Sequence, residues 1–322
     1  MNPNSEQLFT LAPSPHVKHK NSTTSVMLHV ILALAPAFAW GVAIGGIMAL
    51  VLTALSVALC VFYEFAYQKL TKKPVTVSDL SAVVTGILIA FNLPSTCAPW
   101  VLIFGCFFAI VVVKQLFGGI GKNIVNPAIA ARIFMFISWP TQMTGYVNKL
   151  DGVSSATPLA ALESGAIPKY SILDAFVGNI PGCIGEVSAL LLILGGLHLI
   201  IRRIITWHIP VAYIGTVAVI AFLFPMAGVT PWASIGYQVF SGGLMLGAIF
   251  MATDYTTSPV TSKGRIIFGI GCGLITMAIR YLGAYPEGVS FAIMIMNLLV
   301  WYIDKATAPK PFGSRKQKED VQ

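Results

Sequence analysis

Apolar residues in this chain come in long runs of 16 to 24 positions, separated by short polar punctuation. A helix needs roughly 20 residues to cross about 30 Å of hydrocarbon, so each run predicts a membrane span. The runs cover 26–43, 45–68, 79–94, 98–118 and 124–139, then 184–201, 208–225, 234–252, 265–283 and 288–304. The pattern therefore predicts an all-α polytopic membrane protein of ten transmembrane helices in two groups of five. Five is odd, so the second group must enter the membrane from the opposite side, which is the plan of an inverted repeat. The expected organisation is an N-terminal tail (1–25), a first five-helix repeat (26–139), a polar loop (140–179), a second repeat (180–304) and a basic C-terminal tail (305–322).

Composition agrees with the pattern. Hydrophobic residues make up 56% and charged residues 10% of the chain, and the mean hydropathy is +0.81; soluble domains carry about 25% charged residues. The net charge of +8 is a topology signal. With a cytoplasmic N-terminus, Lys18, Lys20, Lys69, Lys72, Lys73, Lys122, Arg202, Arg203, Lys263, Arg265 and the bases from Lys305 to Lys318 all fall inside. Only Lys149 and Lys169 fall outside, which satisfies the positive-inside rule. The expected location is a bacterial or archaeal cytoplasmic membrane, with both termini cytoplasmic and the 140–179 loop on the far side. Bases scattered over separate loops argue against nucleic acid as a partner. The polar first 25 residues lead into a run that is followed by another span, so the chain is expected to insert through its own helices without a cleaved signal. The five cysteines show no metal-binding spacing; Cys97 and Cys183 both map to the outer side, where they either pair or simply pack.

The repeat leaves a trace in the residues. "FGCFFAIVVVKQLFG" (104–118) aligns without a gap on "IGCGLITMAIRYLGA" (270–284), matching Gly105-Cys106 with Gly271-Cys272, Lys114 with Arg280 and Leu116 with Leu282. These are the fourth members of the two groups. The third members, "SDLSAVVTGILIAFNLPS" (78–95) and "SGGLMLGAIFMATDYTTSP" (241–259), are both interrupted by Gly or Pro. Corresponding interrupted spans point to a binding site near the midplane; small residues also serve plain close packing of helices.

An ionised side chain inside a bilayer costs several kcal/mol, which makes each one a functional candidate. Glu64 lies in the second span with apolar neighbours, Asp254 and Asp304 lie at the cytoplasmic ends of the eighth and tenth, and Lys114 and Arg280 are the matched cations. Those near helix ends can also snorkel to water. The turn "GGIGKNIVNPAIAAR" (118–132) carries Asn123 and Asn126, three apart and on one face if the helix has begun there. Paired amides suit a flat heteroaromatic ligand; Asn126-Pro127 is equally an ordinary helix start. In the outer loop, Thr157-Pro158 reads the same way.

Several stretches together carry a resemblance. "SPHVKHKNST" (14–23), "GKNIVNPA" (121–128), "DGVSSATPLAAL" (151–162), "FMATDYTTSP" (250–259) and "YIDKATAPKPFG" (302–313) occur in the order seen in the membrane D subunit of the Rnf complex. The chain resembles that family and, more distantly, the B subunit of sodium-translocating NADH:quinone oxidoreductase. The resemblance implies a flavin-carrying subunit of an ion-translocating ferredoxin:NAD oxidoreductase, with the membrane A and E subunits, the flavin-bearing G and the soluble B and C as partners and Na⁺ or H⁺ as the ion. It implies FMN joined through its phosphate to Thr157, in a Ser/Thr-Gly-Ala-Thr motif that Ser154-Ser155-Ala156-Thr157 matches except at Ser155. It also implies a non-covalent riboflavin at Asn123 and Asn126, and ion coupling at Glu64, Asp254 and Asp304. No residue is expected to act as a catalytic acid, base or nucleophile. The short polar N-terminus favours the Rnf subunit over the quinone-reductase one, and an inverted repeat with broken helices is also the plan of a small-solute channel or transporter.

Overall fold

The computed structural model describes residues 22–148, 153–154, 157–186, 188–226, 228–283 and 287–309. Helices dominate. In chain order they are α1 (Thr23–Gly45), α2 (Ile47–Leu70), α3 (Ser81–Phe91), α4 (Pro99–Phe107, continued as a π-helix over Phe108–Gln115), α5 (Pro127–Ser138) and the short α6 (Pro140–Met143). Then come α7 (Pro158–Glu163), α8 (Ile172–Val177), α9 (Ala189–Ile201), α10 (His208–Leu223), α11 (Pro231–Phe240), α12 (Leu244–Leu246, continued as a π-helix over Gly247–Met251), α13 (Ser262–Leu282) and α14 (Val289–Thr307). Between α6 and α7, β1 (Val147–Asn148) pairs antiparallel with β2 (Val153–Ser154), placing Val147 opposite Ser154.

Polar caps followed by proline set three helix starts. Asn126-Pro127, Thr157-Pro158 and Thr230-Pro231 each place a side-chain acceptor on the free N–H groups of the first turn and a proline where its missing N–H costs nothing. Both Asn126-Pro127 and Thr157-Pro158 thus act as the helix starts that their spacing allows.

Among the described residues, four helices (α1, α2, α13 and α14) are long and apolar enough to cross a membrane, and α11 with α12 makes a fifth candidate bent by 63°. The other five apolar helices have 10–17 residues. The expected third span shrinks to the 11 residues of α3, because Asn92-Leu93-Pro94 ends the helix. The expected eighth span starts earlier than its apolar run, at Thr230-Pro231, and breaks at Ser241-Gly242-Gly243, where Gly242 has φ +67°. That left-handed conformation is cheap only for glycine. Backbone freed by these interruptions is paired inside the protein: Ile184 N donates to Leu93 O at 2.9 Å and Gly185 N to Phe91 O at 3.0 Å. Non-helical backbone at membrane depth is tolerated on that condition.

Apolar side chains cover much of the outside as well as filling the core, and several ions are buried among them. Leu32, Ile47, Phe62, Val211, Leu223 and Leu298 are exposed, while Glu64, Lys114, Arg132, Glu186 and Arg280 are each at most 7% exposed. The aligned glycines of α4 and α13 occupy equivalent packing positions. A Cβ at Gly105 would run into Met135 of α5, and one at Gly271 into Met296 of α14. Cys97 and Cys183 are buried free thiols, so the pairing alternative is not realised.

Candidate functional site

A cavity of about 380 Å³ opens where the first turn of α1 meets α3, the start of α5 and the end of α12. Val26, Val84, Leu88 and Phe250 give it apolar walls, and Ser81, Lys114, Asn123, Asn126, Thr253 and Asp254 bring polar groups to it. The two asparagines differ. Helix α5 begins at Pro127, beyond both, so they do not share a helical face. Asn126 is the N-cap: its Oδ1 accepts from Ala128 N at 3.0 Å and Ile129 N at 3.4 Å, and its Nδ2 donates to Met251 O at 3.2 Å. Asn123 borders the same cavity with a buried Oδ1 that has no partner among the described residues. A buried acceptor left unmade costs about 1–3 kcal/mol, and a ligand N–H would offset it.

Beside the cavity, Glu64 has the partner its sequence neighbours lack. Lys114 Nζ donates to Glu64 Oε2 at 2.9 Å and to Ser81 Oγ at 2.6 Å; Gln115 Nε2 donates to Glu64 Oε1 at 2.8 Å. Ser81 Oγ in turn donates to Asp79 Oδ1 at 2.6 Å. Asp79, Ser81 and Gln115 do not stand out in the sequence; nothing in their spacing tells that they form one hydrogen-bonded network around the Glu64–Lys114 pair. Asp254 borders the cavity and accepts from Thr256 and Thr257 through Oδ2 at 3.0 and 3.2 Å. Asp304 stands apart, accepting from Val260 N at 3.0 Å and so tying the end of α14 to the turn before α13.

The opposite end of the bundle holds a second polar cluster. The separation follows from α1, whose Thr23 lines the cavity while Gly41, 18 positions on, presses against Ile184. Here Arg132 Nη1 donates to Glu186 Oε1 and to Asn92 Oδ1, each at 2.5 Å, and Arg132 Nη2 pairs with Glu287. The two interrupted helices meet on this guanidinium: Asn92 ends α3, and a Cβ at Gly243 of the α11–α12 break would lie 3.2 Å from Arg132 Nη1. Asn92 Nδ2 also reaches Met251 Sδ at 3.7 Å, and Met251 O accepts from Asn126. A chain of polar contacts therefore runs from the cavity to Arg132. Neither acid of this cluster stands out in the sequence, since Glu186 and Glu287 sit at span edges where a carboxylate reads as solvated.

Thr157 lies at this second end. Its Oγ1 accepts from Ala160 N at 3.3 Å and the residue is 5% exposed. Ser154 sits on β2; Ser155, Lys149, most of both tails and the motif beginning at Ser14 lie outside the described residues.

Known proteins share this sequence along its length. The family model described as NQR2, RnfD, RnfE family matches residues 10–313. The D subunit of the Na⁺-translocating ferredoxin:NAD⁺ oxidoreductase complex of Acetobacterium woodii is 50% identical over 320 residues, covering 97% of this chain and 98% of the relative. The D subunit of the proton-translocating ferredoxin:NAD⁺ oxidoreductase complex of Clostridium ljungdahlii is 41% identical over 327 residues, covering 97% and 98%. The D subunit of the ion-translocating oxidoreductase complex of Stutzerimonas stutzeri is 38% identical, covering 91% and 93%. With a family model matched across nearly all of its length and relatives aligned end to end, this chain belongs to the NQR2, RnfD, RnfE family.

Proposed function

We propose that this chain is the D subunit of an ion-translocating ferredoxin:NAD⁺ oxidoreductase complex and passes electrons through the membrane layer between two flavins. The observation that carries the reading is the 50% identity to such a subunit over 97% of the chain. Its partners are the other subunits of that complex, the membrane A and E, the flavin-bearing G and the soluble B and C. A riboflavin occupies the cavity at Asn123, and an FMN is esterified to Thr157 at the other end. Bound flavins supply the redox chemistry, and the protein supplies orientation and surroundings.

The cavity suits a flat heteroaromatic group. Its volume falls in the usual range of about 300–1,000 Å³ for ligand sites, its walls are mainly apolar, and Asn123 Oδ1 is an acceptor without a donor among the described residues. Lys114 both borders the cavity and pairs with Glu64. Negative charge added in the cavity competes with Glu64 for that ammonium, which makes Glu64 the place where a cation is taken up to restore balance. Asp254, at the cavity wall, and Asp304, which stands apart at the end of α14, belong to the same ion-coupling proposal.

In this reading the protein crosses the membrane ten times, as two inverted five-helix repeats in a cytoplasmic membrane, with both termini, Lys122 and the riboflavin cavity on the cytoplasmic side. The five shorter helices cross because their missing turns are replaced by loop backbone hydrogen-bonded within the bundle, as at Leu93 and Ile184. Equivalent glycine–methionine packing at Gly105 and Gly271 supports the repeat.

Flavin content is the test. Protein produced with a flavin-attaching enzyme should fluoresce on a denaturing gel, lose that signal in Thr157→Ala and keep it in Ser154→Ala and Ser155→Gly. Riboflavin should be extractable without cleavage of the chain. A well-expressed preparation without either flavin sinks the reading, and a fluorescent Thr157→Ala band moves the attachment to another hydroxyl.

A further inference from the structure

A smaller pocket of about 240 Å³ lies beside the cavity at Asn123 and shares Val26 and Ile204 with it. Its polar lining comes from Ser25 and His29 in the first turns of α1 and from Arg202 and Arg203 at the end of α9. Arg202 Nη2 donates to His29 Nε2 at 3.0 Å, which places the His29 proton on Nδ1, 3.4 Å from His198 Nε2. Neither arginine has a carboxylate partner among the described residues, and no acidic residue lines the pocket. Two guanidinium groups thus bring positive charge to one pocket without an internal counter-charge, and the group that matches their planar donors is a phosphate.

Arg203 stands where glycine is the ordinary residue. Helix α9 closes with Arg203 N donating to Ile200 O and Ile204 N to Leu199 O, both at 2.9 Å, and Arg203 has φ +56°. That is a Schellman end, whose left-handed position usually holds glycine. A side chain is kept there against the backbone preference, and the residue lines the pocket. Apolar surface adjoins these cations. Leu194, Leu197 and Ile201 are exposed along one face of α9, at i, i+3 and i+7. Ile201 lines the basic pocket, and Leu197, one turn earlier, lines an apolar groove of about 410 Å³ between α9 and α10. Gly215 of α10 keeps its side of the groove open: a Cβ there would meet nothing within 4 Å. A soluble anion would use only the arginines, whereas an anionic amphiphile uses the arginines and the groove.

We infer that the pocket at Arg202 and Arg203 holds the phosphate of an anionic phospholipid, one of whose acyl chains lies in the groove between α9 and α10. The inference is independent of the flavins. It needs only that this end of α1 and α9 lies at a membrane surface, where basic pockets between helices bind acidic headgroups. A zwitterionic lipid brings its own cation to the two arginines, so net negative charge is what the pocket selects.

The test uses the full chain purified in detergent and titrated with dioleoyl phosphatidylglycerol, dioleoyl phosphatidylcholine or inorganic phosphate. Phosphatidylglycerol should raise the thermal midpoint of the native chain by more than phosphatidylcholine does, and its adduct should survive in native mass spectra. Both arginines are exposed, so replacing them leaves the core intact; in the double variant Arg202→Gln with Arg203→Gln the two lipids should give equal gains. Arg203→Gly separates the ligand from the backbone. It should raise the midpoint without lipid, because glycine suits the left-handed position, and yet reduce the phosphatidylglycerol gain. Gly215→Phe should obstruct the groove and reduce that gain with both arginines in place. Equal gains from the two lipids in the native chain, or a phosphatidylglycerol preference that persists in the double variant, overturn the inference. So does a gain from inorganic phosphate as large as that from phosphatidylglycerol, which would make this a site for a soluble anion, or an undiminished gain in Gly215→Phe, which would take the acyl chain out of the groove.

Discussion

Glu64 and Lys114 are 50 positions apart in sequence and 2.9 Å apart in space. Each is conspicuous in the sequence as an ion where ions are expensive, and neither can be assigned a partner there, because pairing between helices has no period along the chain. The structure changes the expectation for Glu64 from a lone carboxylate to half of a buried pair. Removing one member of such a pair strands the other, at about 3–5 kcal/mol. Lys114→Met should therefore destabilise the folded protein strongly, while Glu64→Gln with Lys114→Met should recover most of the loss; a double variant no more stable than Lys114→Met would show that the pair is not the source of the cost. The two asparagines separate in the same way. Asn126→Ala removes a cap, worth about 0.5–2 kcal/mol, and should lower the melting temperature. Asn123→Leu should lower riboflavin content without that penalty. Equal effects of the two substitutions on stability would contradict the division of roles.

At the scale of elements, hydrophobic runs reveal that helices exist but misjudge where they stop. A run measures apolarity, whereas helix ends are set by caps, prolines and left-handed residues. Thr230-Pro231 starts α11 ahead of its run, and Gly242 splits what reads as a single span. The glycines of α3 and α11–α12 are legible as interruptions; what they admit is not, because it comes from other helices. Gly86 lets α3 lie on the backbone of α2, where an added Cβ would be 2.8 Å from Val57 Cα. Gly86→Val should push the helices apart and cost about 1–3 kcal/mol or more, seen as a lowered melting temperature. Gly242→Ala meets a different obstacle, since φ +67° is unfavourable for any residue with a Cβ. It should be destabilising even though alanine adds only one carbon, and a neutral result would mean that the break adopts another backbone in solution.

For the whole molecule, the distribution of basic residues predicts what no single helix can, namely which end faces the cytoplasm. The cavity end carries Lys122 and Lys263, both exposed, and the Thr157 end carries exposed Lys169. Under the proposed topology the two proposed flavin positions lie on opposite sides of the membrane, joined through Asn126, Met251, Asn92 and Arg132, and two of these four, Asn92 and Asn126, sit at the ends of the short helices α3 and α5. Orientation and span number can be checked together. In a chain whose five buried cysteines are replaced by alanine or serine, single cysteines at Lys169 and Lys263 should react with an impermeant reagent from opposite sides of sealed vesicles, because three crossings separate them if the bent pair α11–α12 counts as one and α9 and α10 as two. A cysteine at Lys122 should behave like the one at Lys263. Labelling of Lys169 and Lys263 from the same face would make the number of crossings between them even, and at least one of α9, α10 or the bent pair would then have to turn back within the bilayer instead of crossing it.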